Sequence, residues 1–217
     1  SETKERAYEV YKRVDFINYW LYTFTATCLL CLVEPFVAIW LGQDFVLTKA
    51  ILILAVAIYY FKGINSGIDI AKNAAGLYYP DRFIPMAEAI ANMVISIVLA
   101  KRYGIAGVLF GTLVSFLALS FWAKPYFVCR DVFEVSFARY AVREGREIVV
   151  SVLVAAGTWY AVSLVSLENV LLSFGVKALL ALALSNGLLL LVYFKTSEFQ
   201  YIRGLLESAA NRILRRK

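Results

Sequence analysis

The chain has 217 residues, 61% of them hydrophobic and only 18% charged, with a mean hydropathy of +0.71. A water-soluble domain is nearer half apolar and a quarter charged, so this composition excludes that class and predicts a polytopic helical membrane protein. The net charge of +6 does not point to nucleic acid, because Lys and Arg sit between and after apolar segments, as juxtamembrane charges do.

The apolar runs do not alternate with polar residues, which excludes a membrane β-barrel. His is absent, removing the commonest general base and metal ligand. Cys28 and Cys31 form a C-x-x-C inside an apolar run with no second ligand pair. They read as small apolar helix residues rather than a zinc or redox motif, and no cofactor or metal is expected.

The opening residues, 1–15, alternate acids and bases and predict a helical lead-in along or just under the membrane. The chain opens on Ser1 without a cleavable signal pattern, as a piece of a longer protein would. A first span is predicted over 16–41, with Trp20 and Trp40 as interfacial anchors and Pro35 as a kink. The short link Gly42-Gln43-Asp44 returns the chain into a second span from about Val46. That span is apolar to Phe61 and then turns polar: Lys62, Ser66, Asp69 and Asn73 share one helical face, flanked by Asn65 and Lys72. Gly76 and Pro80 end it.

A helical hairpin is predicted next. Its first arm, from Phe83 to Lys101, carries Glu88, Asn92 and Ser96 at four-residue steps. Its corner is Tyr103-Gly104-Ile105-Ala106-Gly107. The second arm places Gly107, Gly111 and Ser115 on one face, a small-residue row that lets two backbones approach closely in lipid. Pro125 reads as its stop. Residues 124–147 mix aromatic residues with Arg130, Arg139, Arg143 and Arg146 and predict an interfacial helix. Two more spans are predicted, 148–167 and 170–194, making six. The tail from Glu198 predicts a basic amphipathic helix on an anionic leaflet of membrane lipid. The excess of Lys and Arg on one side places both termini in the cytoplasm by the positive-inside rule.

Charges inside apolar segments must face protein, water or headgroups. For Lys62, Asp69, Glu88 and Asn92 a cavity-lining role stands against helix capping and pairing near the cytoplasmic ends. For Glu34 and Lys177, snorkelling to the outer surface suffices. Asp69 and Glu88 come with no nucleophile–base pair or phosphate loop, so an enzyme is not expected.

The run YYPDRFIPMAEAIANMVISI, Tyr78 to Ile97, is followed by GIAGVLFGT and by the Trp122…Pro125 pair. Together these resemble the C-terminal part of Wzx-type polysaccharide flippases. VEPFVAIWLG, Val33 to Gly42, is similar to an earlier span of that family. The resemblance covers about the first two-thirds of the chain. It implies one helical lobe of a multidrug/oligosaccharidyl-lipid/polysaccharide-type exporter, with an N-terminal lobe missing. It also implies export of undecaprenyl-linked oligosaccharide from the cytoplasmic leaflet of a bacterial inner membrane, for polysaccharides such as O-antigen. In that setting Lys62, with Lys72 or Arg82, would attract a pyrophosphate or acidic sugar. Asp69, Glu88 and Asn92 would bond sugar hydroxyls or a coupling cation. The alternatives are a cation-coupled drug exporter of the same superfamily and a non-transporting membrane scaffold.

Overall fold

The computed structural model describes residues 2–77 and 82–204. They form an all-α bundle: α1 (Glu2–Trp40), α2 (Lys49–Ile64), α3 (Ser66–Ala74), α4 (Ile84–Ala118), α5 (Ser120–Val128), α6 (Phe137–Ser163) and α7 (Val170–Tyr193). Short 3-10 and π turns occupy Gln43–Phe45 and Cys129–Phe133. Among the described residues, five helical stretches are long and apolar enough to cross a membrane. One of the five is folded on itself.

That stretch is the hairpin read from the glycines. Gly104 takes φ 56° and ψ −134° inside α4, a conformation open to residues without a Cβ, and the two arms run antiparallel. Ser96 lies against Gly111, where a Cβ would sit 2.6 Å from Ser96 Oγ and 3.0 Å from its backbone nitrogen. A Cβ on Gly107 would overlap the Leu99 carbonyl. Gly111→Leu is therefore expected to lower folded yield in detergent and the thermal midpoint. Gly175→Ala in α7, where a Cβ meets nothing within 4 Å, should change neither. An unchanged midpoint for Gly111→Leu would remove the close-packing argument.

The hub is α1, a 39-residue helix that packs against α7, α2 and α6. In lipid, apolar contacts between helices gain little over contacts with acyl chains, so packing of small residues and hydrogen bonds hold helices together. The bundle is arranged accordingly. Thr23, Thr27, Thr158 and Ser185 are fully buried, whereas Leu171 and Leu191 are more than two-thirds exposed. Toward the N-terminal end of α1 the core turns aromatic, with Tyr8, Tyr11, Phe133 and Tyr140 in one cluster and Phe16, Tyr19 and Tyr193 in another.

Several predicted boundaries shift. The lead-in is not a separate surface element but the first turns of α1, because Tyr8 and Tyr11 bury their rings against Phe133. Pro125 does not stop a helix. The break falls earlier, at Leu119 (φ −113°, ψ −74°), and α5 runs through the proline. Residues 137–147 are not an interfacial helix but the start of the continuous 27-residue α6. Arg139 and Arg146 face outward on it, while Tyr140, Glu144 and Glu147 are buried. The start of the tail, from Ser197, is helical and packs back on α1, with Phe199 stacked on Trp20 and Arg13 over the Tyr201 ring. Pro80 and the tail beyond Gly204 lie outside the described residues.

Candidate functional site

The structure brings the two predicted polar faces together in part. Lys62, exposed in the last turn of α2, holds its ammonium 5.7 Å from the centroid of the Phe116 ring on the hairpin's second arm. Asp69 on α3 accepts from Lys124 Nζ of α5 at 3.0 and 3.2 Å. Lys72 is half-buried one turn further on. The stripe is interrupted at Asn65, where α2 ends and α3 begins. Ser66 consequently turns toward α1, and Asn18 Nδ2 donates to its hydroxyl at 3.2 Å.

On the hairpin, Glu88 accepts from the Ser120 hydroxyl, which ties the start of the first arm to α5. The Asn92 side-chain oxygen lies 2.8 Å from the Ser96 hydroxyl and 3.2 Å from that of Thr112. Asn92 thus knits the hairpin internally, while Glu88 ties it to α5. Of the predicted site residues, Lys62 presents an exposed cation.

A second polar centre runs between α1 and α6. These helices are parallel and in register at a sequence offset of 128: Arg143 bonds Asp15, and Thr23 Oγ1 lies 2.7 Å from Ser151 Oγ. Tyr60 of α2 donates to the same Ser151 hydroxyl at 2.9 Å. Below this layer, Tyr193 of α7 donates to the Tyr19 hydroxyl at 3.2 Å. At the basic end of the bundle Asp15, Glu144 and Glu147 are 4%, 3% and 6% exposed. Each offers a carboxylate oxygen, and these lie within 4.8 Å of one another. Arg143 bridges the group, with Nε 3.8 Å from Glu147 Oε1. Gly67 makes room for it, since a Cβ there would sit 2.7 Å from Asp15 Oδ1.

Beside the hydroxyl layer lies a cavity of about 380 Å³ between α1, α2 and α6, floored by Thr23, Tyr60 and Ser151. Glu34, Lys49 and Trp159 close its far end. A smaller cavity of about 270 Å³ continues there to Lys177. Cys28 and Cys31 are free thiols on α1, with Cys31 packed against Val162 and Ala181.

Sequence reading missed this second centre, although a periodic signal exists. Asp15, Tyr19, Thr23 and Thr27 recur every fourth residue of α1. Glu144, Glu147, Ser151 and Thr158 likewise share a face of α6. Comparison of the chain with protein-family models, curated proteins and solved structures returned no match.

Proposed function

We propose that this chain is one lobe of an exporter that flips lipid-linked oligosaccharide across a bacterial inner membrane. The observation carrying the reading is Lys62. It is an exposed cation at the polar end of an apolar helix, backed by the hairpin's Phe116 ring. A sugar–pyrophosphate headgroup entering a wet cavity needs such a charge, while its lipid tail stays among acyl chains. The half-exposed apolar face of the hairpin's first arm, including Met86, Ile90, Met93 and Ile97, suits contact with lipid or with the second lobe that the family resemblance calls for.

A cation-coupled drug exporter is the second reading. The observation favouring it is the buried carboxylate group of Asp15, Glu144 and Glu147. Loss of the gene separates the two. Under the flippase reading, surface polysaccharide falls and lipid-linked oligosaccharide accumulates on the cytoplasmic leaflet, while drug susceptibility stays unchanged. Raised drug susceptibility with normal surface glycan would replace the first reading by the second.

Orientation is tested by single cysteines in a background lacking Cys28, Cys31 and Cys129. A thiol at Glu168 is expected to react with an impermeant reagent from outside, and one at Arg139 only after the membrane is opened. Labelling of the Arg139 position from outside would invert the topology.

A further inference from the structure

We propose that Asp15, Glu144 and Glu147 form a binding site for one hard cation, held by carboxylate oxygens from α1 and α6. Three observations converge on the same spot. The first is charge. Three buried carboxylates face one guanidinium, Arg143, and Arg146 on the same helix points outward. An excess of buried negative charge is costly unless something positive enters to pair with it.

The second is a set of buried polar atoms without partners. Glu144 Oε2 and the Tyr11 hydroxyl make no hydrogen bond. Tyr11 is 5% exposed and lies one turn before Asp15 on the same helix face. Its ring packs 5.5 Å from the Arg143 guanidinium carbon. A buried hydroxyl near Asp15 and Glu144 is a fourth oxygen for an ion, or a donor to a ligated carboxylate.

The third is preorganisation. Gly67 is the residue of α3 that backs onto Asp15, and a side chain there would occupy the carboxylate's position. The α3 backbone therefore packs directly on the Asp15 carboxylate and limits the directions in which it can turn.

The donors decide the ion class. All are oxygens, with no imidazole or thiolate in the group, which selects hard cations over zinc or copper. Oxygens within 4.8 Å of one another can share an ion with bonds of about 2.3–2.6 Å, the range Ca²⁺ accepts in flexible geometry. Mg²⁺ demands a shorter, near-ideal octahedron. A buried set of three protein carboxylates suits Ca²⁺, or Na⁺ of similar size, over Mg²⁺, which keeps several of its waters. Because its ligands come from two helices, binding would clamp α1 to α6 beside the Thr23–Ser151 layer. The site is separate from Lys62 and stands whether or not the chain exports glycan.

The test is calorimetric titration of the purified intact protein in detergent, freed of ions by chelator at pH 8, with Ca²⁺ and separately with Na⁺. One saturable site per chain is expected for at least one of the two. Glu144→Gln should weaken it by about tenfold or more, since loss of an outer partner alone costs that much at metal sites. It keeps the Asp15–Arg143 pair, so its thermal midpoint in chelator should not fall. Asp69→Asn, which touches a different pair, should leave binding unchanged. If Glu144→Gln does not fold, Glu147→Gln takes its place with the same expectation. No saturable binding of either ion, or equal binding by wild type and the Gln variant, would overturn the site and leave the carboxylates neutralised by protons.

Discussion

Arg143→Met is expected to destabilise the bundle by about 3–5 kcal/mol, the usual cost of removing one partner from a buried ion pair. Met replaces the aliphatic stem but not the guanidinium, so the contacts of that group with the Tyr11 and Tyr140 rings go with the charge. What is lost is the positive charge bonded to Asp15 and close to Glu147. Three carboxylates then remain buried together, and the folded state must take up protons or open between α1 and α6. Asp15→Asn combined with Arg143→Met should recover part of the loss, because it removes one of the stranded charges. The pair Lys4–Glu134, whose side chains are 43% and 59% exposed, makes the comparison. Lys4→Ala should have little effect, since exposed pairs are screened and mobile. A thermal midpoint for Arg143→Met equal to wild type would mean that α1 and α6 are not held through this group.

Lys62→Ala is expected to abolish most glycan export by the intact transporter, with Lys62→Arg retaining some. The ammonium sits over Phe116, and an aromatic face holds a cation without neutralising it. It therefore stays available to an anionic headgroup. Asp69, by contrast, is bonded to Lys124 at both oxygens, and Glu88 and Asn92 are bonded within the hairpin and α5. Their substitution should lower folded yield before it lowers export per folded molecule. Expression of Lys62→Ala should stay near normal, because the residue is exposed and removing it strands no buried partner. Lys177→Ala, at the opposite end of the bundle beside Glu34 and Lys49, should be far milder. Equal export by wild type and Lys62→Ala at matched expression would take Lys62 out of the site.

The hairpin was legible in the sequence because its determinants are local. Gly104 makes the corner, and Gly107 and Gly111 admit the opposing backbone within twenty residues of chain. The polar face of α2 was legible as far as Lys62. Past it the reading held only in part: Asp69 still reaches α5, but the helix is interrupted at Asn65 and Ser66 turns toward Asn18. Nothing in the spacing of Lys62, Ser66 and Asp69 marks that break.

The charged centre was hidden for a different reason. Arg139, Arg143, Glu144, Arg146 and Glu147 are dense enough to resemble a solvated segment. Which of them turn inward depends on the parallel register of α6 with α1, a pairing 128 residues apart. Only when that register is fixed does Asp15, read as part of a surface lead-in, become the partner of Arg143. The same long-range packing explains why the first turns of α1 belong to the bundle, since Tyr8 and Tyr11 find Phe133 and Tyr140.

Flipping of an anionic sugar-lipid, the role proposed for this lobe, is measurable in vesicles reconstituted with the intact transporter. Undecaprenyl-linked oligosaccharide is placed in one leaflet, and its arrival in the other is followed by an impermeant glycan-modifying reagent. If the proposed role holds, transfer runs well above protein-free vesicles with wild type and near that background with Lys62→Ala. Transfer at the protein-free rate by folded wild-type protein would contradict it.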